Sequence, residues 1–248
     1  MNWQFSFLCI AVLFIDYGFT RLTPDFIHPC PVDNRECLIQ STIDAIPFFT
    51  KGIPELGVPS LDPFYVDRLA IPLAGLKVAF FNGKVTGFRK AVIENVESNF
   101  AKRKFVVEFR SNVTLKGGYE ASGRILTFPI NGEGEAKIKI TNLKMKVKMN
   151  IDVKPDDNGV NHLYVKNYKY DYGFGDKAHY NLTNLVKDSP ELSQTLLQFM
   201  NENWKLIAEE FGKPLVDYAT ELALRTIEKF FLAVPYEELI DGPIPSFK

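Results

Sequence analysis

Polar and apolar positions alternate with a period of two through the middle of the chain, over residues 65–182. Phe105, Val107 and Phe109 alternate with Val106, Glu108 and Arg110, and Ala136, Ile138 and Ile140 with Lys137, Lys139 and Thr141. Leu143, Met145, Val147, Met149, Ile151 and Val153 then alternate with Lys144, Lys146, Lys148, Asn150, Asp152 and Lys154. Such a pattern predicts strands with one dry and one wet face. It favours an antiparallel sheet, because parallel strands are usually buried on both faces. The apolar parity switches between Ile140 and Leu143. One extra residue at Thr141-Asn142 restores it, which predicts a β-bulge and a bend in the sheet. Asp156-Asp157-Asn158-Gly159 predicts a turn, after which Leu163–Tyr172 returns as a strand. Asn82–Gly87 and Gly173–Ala178 also read as turns.

The period then lengthens. Leu192, Leu196, Phe199, Met200, Trp204, Ile207, Phe211, Leu215, Val216, Ala219, Leu222, Thr226 and Phe230 step by three and four, which predicts a helix over 190–231. Ser189-Pro190 supplies an N-cap and a proline at the first helical position, and Gly212 with Pro214 predicts a kink. Unbroken, this helix would run about 63 Å, whereas a compact globule of this mass is about 45 Å across. The body is therefore expected to be elongated, with a curved sheet wrapped along one helix. A shorter amphipathic helix is expected over Leu38–Thr50, with Ile39, Ile43, Ile46 and Phe49 on one face and Pro47 bending or ending it. Gly52–Phe64, rich in Pro and Gly, reads as an extended loop.

Two features place the chain outside the cytoplasm. Phe5–Ile15 is a run of eleven residues ended by Asp16, about 16 Å long as a helix and too short for a bilayer core of about 30 Å. The expected division is a signal peptide at 1–20 and one domain at 21–248. Cys9 lies inside the leader. Cys30 and Cys37 then remain as an even pair, expected to form one local disulfide in an oxidising compartment. Asn112-Val113-Thr114 and Asn181-Leu182-Thr183 are glycosylation candidates in a secreted chain. The formal net charge of −1 over 248 residues lacks the basic footprint of a nucleic-acid binder.

Several stretches, in order, resemble the insect takeout/juvenile-hormone-binding protein family. They are the leader followed by Cys30 and Cys37; Gly52-Ile53-Pro54-Glu55-Leu56-Gly57-Val58-Pro59 with Asp62-Pro63; and Gly118-Tyr119 with Gly123-Arg124-Ile125-Leu126 and Pro129-Ile130-Asn131-Gly132-Glu133-Gly134. Asn201-Glu202-Asn203-Trp204 follows, and then Phe230 with Pro235-Tyr236-Glu237-Glu238-Leu239. The resemblance covers 21–240. It implies an α+β fold, a long C-terminal helix wrapped by a highly curved antiparallel sheet, like half of a tubular lipid-binding protein. It also implies a secreted carrier of small lipophilic molecules. The family's hormone carriers have a second bridge, but no Cys follows Cys37, which places the chain nearer the takeout branch.

The residues expected to meet a ligand are Phe105, Val107, Phe109, Met145, Val147 and Met149 on the sheet and Phe199, Trp204, Ile207 and Phe211 on the helix. Tyr168, Tyr170 or Trp204 is expected to provide one polar contact. The same residues suit a filled core or a lined cavity; Met and Phe, which adapt to irregular guests, tilt the balance toward a cavity. Residues 30–64 or 232–248 are the expected gate.

Reactive chemistry is not evident. No Gly-x-Ser-x-Gly elbow occurs, and His28, His162 and His179 stand apart without metal-ligand spacing. Gly173-Phe174-Gly175-Asp176-Lys177-Ala178 is not followed by an amphipathic helix, as a dinucleotide fold requires. No enzymatic activity, cofactor or metal is expected, and the protein is expected to be a monomer. Lys137, Lys139, Lys144, Lys146 and Lys148 form the wet face of a strand, with transient docking on an anionic membrane or receptor as a second reading. Two rival readings stay open, a membrane-engaging lipid-transfer protein and a secreted interaction protein with a filled core.

Overall fold

The computed structural model describes residues 21–243 apart from residue 74. The leader expected at 1–20 lies outside them. The chain forms helix α1 (Arg35–Phe49), seven strands and three C-terminal helices. The strands are β1 (Phe64–Leu73), β2 (Leu76–Thr86), β3 (Val92–Asn99), β4 (Lys104–Ile125), β5 (Phe128–Ile130), β6 (Glu133–Pro155) and β7 (Asn161–Leu182). All belong to one antiparallel sheet in the order β1-β2-β4-β6-β7. One edge of β4 is shared: its first half, from Lys104 to Arg110, pairs with β3 and its second half, from Thr114 to Gly123, with β2. On the other edge β6 pairs along most of β4, and β5 continues the same register at its end.

Strand length makes this sheet curl. β4, β6 and β7 have 22, 23 and 22 residues, about 70 Å each if straight. The predicted bulge supplies a bend. Register shifts between Thr141 and Leu143 against β7 and between Ser111 and Val113 of β4, with Asn142 at φ 59. Two expected turns prove to be strand. Gly173-Phe174-Gly175 lies inside β7 beside the bulge, where a Cβ on Gly175 would crowd the Asn142 carbonyl. Asn82–Thr86 completes β2 through an irregularity between Phe81 and Lys84. In both places glycine permits close backbone approach rather than chain reversal.

The C-terminal helical stretch is broken twice, giving α2 (Pro190–Glu202), α3 (Trp204–Phe211) and α4 (Lys213–Ala233). The break at Gly212 was predicted from Gly212 and Pro214; the one at Asn203 was not. Asn203 leaves helical geometry at φ −105 and ψ 32, and its side-chain amide donates to the Phe199 carbonyl. Two residues earlier, Asn201 clamps the stretch to β7. Its amide oxygen accepts from Tyr180 N–H at 2.9 Å and its amide nitrogen donates to the Tyr180 carbonyl at 2.8 Å. Asn201 and Asn203 thus give the Asn201–Trp204 motif a structural purpose.

The core runs along the concave side of the sheet. Around α2 and α3 it is more nearly filled, with Leu185, Leu196, Met200 and Tyr119 almost fully buried. Tyr119 donates to the Thr183 carbonyl at 2.7 Å. Burial pushes its phenol up to about 12, raises that of Tyr180 further, and lifts Tyr236 to about 12 with help from Glu237. A phenol harder to ionise when folded than when unfolded holds its full stabilisation below the ordinary phenol value near 10. It loses that stabilisation as pH rises through the folded-state value. Thermal denaturation followed from pH 8 upward should therefore show a melting temperature that is flat to about pH 10 and then falls steeply. Part of the tyrosinate absorbance should appear only with unfolding; full ionisation of a still-folded protein at pH 10 would contradict these burials.

Candidate functional site

Toward the C-terminal end the sheet and helices stop filling the space between them. A cavity of about 470 Å³ lies between α4, the concave faces of β4 and β6, and α1. The cause is side-chain size. The middle of α4 presents Val216, Ala219, Thr220 and Ala223 to the cavity, with Gly212 at the kink before it, so the helix is thin there. The opposite wall is built from the alternating strand residues, each pointing inward by the two-residue period.

Helix α1 closes the remaining side. Asn34 caps it by accepting from Cys37 N–H at 3.1 Å, and Cys30 and Cys37 form the expected disulfide, with Cα atoms 5.8 Å apart. The face turned to the cavity carries Leu38, Thr42, Ala45, Ile46 and Phe49, whereas Ile43, expected on that face, points outward and is 42% exposed. Pro47, expected to bend or end this helix, lies within α1, which runs two residues past it to Phe49. Leu239 and Ile240 complete the lining, held by the pairing of Ile240 with Cys30 and by Asp241 N–H donating to the Cys30 carbonyl.

Among the described residues the lining contains no Lys, Arg, Asp or Glu. Its hydroxyls on α1 and the following residue are turned inward on backbone carbonyls: Ser41 donates to His28, Thr42 to Leu38 and Thr50 to Ile46. His28 stands at the margin, more than half exposed and 3.9 Å from Asp44. Among the described residues no cluster of His, Cys, Asp and Glu has metal-binding spacing.

Six predicted ligand-facing residues, Phe105, Val107, Phe109, Met145, Val147 and Met149, line this cavity together. The other six do not. Ile207 and Phe211 line a second, smaller hollow of about 100 Å³ next to the filled end. Phe199 packs on Phe128 at 4.9 Å between ring centres, and Trp204 packs into the same core. Tyr168 is 38% exposed, and Tyr170 donates to the Asp217 carboxylate, which Lys213 also holds at 2.8 Å. These two tyrosines and Trp204 therefore stand outside the cavity that they were expected to equip with a polar contact. The break at Asn203 places Trp204, and the bond from β7 to Asp217 of α4 holds Tyr170 on the inner face opposite Val147; neither is visible in the periodicity. The residues that reasoning missed are the small ones on α4, and Phe174 of β7, which lines both hollows. A run of Gly, Val, Ala, Thr and Ala on the inner face of a helix opposite Phe- and Met-rich strands is the signal that was available.

On the convex face, Lys146 pairs with Glu108 at 2.8 Å and Lys148 with Asp171 at 2.9 Å. These partners hold both carboxyls below their usual range. Lys137, Lys139 and Lys144 have no such partner among the described residues. Asn112 and Asn181 are both exposed. No helix of the described residues is long and apolar enough to cross a membrane.

Comparison with known proteins agrees with this architecture. Residues 6–241 match the family described as haemolymph juvenile hormone binding protein. The chain is 22% identical over 228 residues to the circadian clock-controlled protein daywake of Drosophila yakuba, covering 87% of each chain. It is 20% identical over 230 residues to that of Drosophila melanogaster, covering 88% of each. The crystal structure of Takeout 1 from Epiphyas postvittana superimposes with a TM-score of 0.83 at 36% identity, over 86% of this chain and 99% of that one. With the curved sheet, the C-terminal helices and the hollow between them, the chain belongs to the haemolymph juvenile hormone binding protein family.

Proposed function

We propose that the protein is a secreted, non-catalytic carrier that encloses a small hydrophobic molecule, such as a terpenoid or other lipid, in the cavity beside α4. The observation that carries this reading is a space of about 470 Å³ whose lining, among the described residues, holds no Lys, Arg, Asp or Glu. That volume falls within the range usual for small-molecule sites. At about 24 cal/mol per Å³, a rigid void of this size would cost on the order of 10 kcal/mol, comparable with the whole stability of an ordinary domain. Water relieves such a cost poorly where polar partners are scarce, whereas an apolar guest relieves it well. Burying about 400 Å² of guest yields on the order of 10 kcal/mol before ordering costs.

Titration with the apolar fluorophore N-phenyl-1-naphthylamine tests this reading. One saturable site with blue-shifted emission is expected, with a rise in melting temperature as the site fills. Emission that grows without saturation, or no response, would count against a carrier. Export fits the disulfide and the exposed sequons; expression in a secreting eukaryotic host should release a chain lacking residues 1–20. A second reading adds transient docking through Lys137, Lys139 and Lys144, and sedimentation with anionic but not neutral vesicles is its test.

A further inference from the structure

Two hydroxyls in the cavity lining, those of Thr220 and Tyr218, have no hydrogen-bond partner among the described residues, and Thr220 is the more deeply buried. Thr220 lies at the middle of α4, 6% exposed, between Val216 and Leu224 on the same helical face. It lines the cavity where the core around Val216 gives way to the core around Leu224. Threonines in helices usually turn the hydroxyl back on the carbonyl four residues earlier. Thr42 and Thr226 do so here, as does Thr50 just after α1. Among the described residues Thr220 makes no such bond. The residue is buried but its oxygen is not among the fully enclosed unpartnered atoms, so it is open to the hollow that Thr220 lines; a hydroxyl left without a partner there is costly.

Building on the carrier reading, we propose that Thr220 is the specificity-determining residue of the cavity and that the ligand is an uncharged lipophile bearing one oxygen function, such as a ketone, ester, ether or alcohol. The hydroxyl both donates and accepts, so it serves any of these oxygens. A carboxylate is refused, because no Lys or Arg in the lining would offset its desolvation. A plain hydrocarbon is accepted less well, because it leaves the hydroxyl unpaired. Tyr218 also lines the cavity, but it stands two residues away, on a different helical face, and is not assigned this role.

The test is displacement of N-phenyl-1-naphthylamine at pH 8 by a medium-chain methyl ketone, the hydrocarbon of equal length and the fatty acid of equal length. The wild-type protein should prefer ketone to hydrocarbon by about three- to tenfold, the range of one neutral hydrogen bond. It should bind the fatty acid at least about tenfold more weakly than the ketone. Thr220→Val, which keeps the shape and removes the unpartnered hydroxyl, should bind both neutral probes with equal affinity and should hold or raise the melting temperature. Thr220→Ser should restore the preference, and Tyr218→Phe should leave it intact. A preference that survives Thr220→Val, or that disappears only in Tyr218→Phe, would overturn the assignment, as would fatty acid binding equal to ketone. Failure of every probe, the fluorophore included, would instead overturn the carrier reading on which the assignment rests.

Discussion

The double substitution Ala219→Phe with Ala223→Phe is expected to reduce binding of an apolar probe by at least about tenfold, or 1.4 kcal/mol, while the protein stays folded. Both alanines face the cavity from α4, and both lie on the stripe whose small size keeps the hollow open. In a packed core, added bulk of this kind costs about 1–3 kcal/mol through strained rotamers and shifted backbone. Beside an empty volume of about 470 Å³ the new rings enter free space and bury apolar area instead. The melting temperature should therefore hold or rise as binding disappears, and this opposite movement separates the prediction from simple damage. A large fall in stability would mean that the space is not available to side chains.

Gly87→Ala should lower stability by about 3 kcal/mol or more, in the range of strained backbone combined with a broken buried contact. Gly87 has φ 128, a region that residues with a Cβ rarely enter, and an added Cβ would collide with the Asn112 carbonyl. The site is a junction. Between β2 and β3 the chain passes the point where those strands divide the edge of β4. The buried Asp62 carboxylate there accepts from Gly87 N–H at 3.0 Å and from Arg89 N–H at 2.7 Å. Ser111 donates to the Gly87 carbonyl at 2.8 Å. Moving Gly87 thus disturbs β1, β2 and β4 together. Gly57→Ala is the control: φ is 66 with no atom near a Cβ, so the loss should be about 1 kcal/mol. Chemical denaturation of the three proteins measures both effects, and equal losses at the two glycines would show that the junction is not tightly built.

The parts of this fold set by local pattern were legible in the sequence. Alternation along β6 fixes which side chains face inward, and its change of parity at Thr141-Asn142 locates the bulge. The steps of three and four through 190–231 identify the helical stretch and, with Gly212 and Pro214, one of its two breaks. What escaped was set by contacts between distant segments. Gly173 and Gly175 look like turn residues in isolation, yet they lie within a long strand because the bulge at Asn142 approaches Gly175 there. Asn203 breaks the helix beside Asn201, which is occupied by the backbone of Tyr180. That break leaves Phe199 and Trp204 at the filled end, away from the main hollow.

The site was half legible for the same reason. Strand residues such as Met145 and Phe109 were found because their inward direction follows from periodicity. The emptiness beside them depends on what faces them, and the helix stripe was read for its large residues rather than for Ala219, Thr220 and Ala223. Tyrosines drew attention as polar contacts because they are amphipathic, yet Tyr170, on the same sheet face as Val147, is engaged by Asp217 of α4 beside the hollow. The hydroxyl that does reach the cavity belongs to a residue with no distinctive pattern in the sequence.

The most direct test of the account is crystallography of the protein soaked with a long-chain ester carrying a terminal bromine. One strong anomalous peak is expected inside the hollow, between Ala219 and Ala223 of α4 and Met145 and Val147 of β6, and none in the Ala219→Phe, Ala223→Phe protein. Bromine found only on the outer surface, or an interior that stays empty at saturating ester, would contradict it.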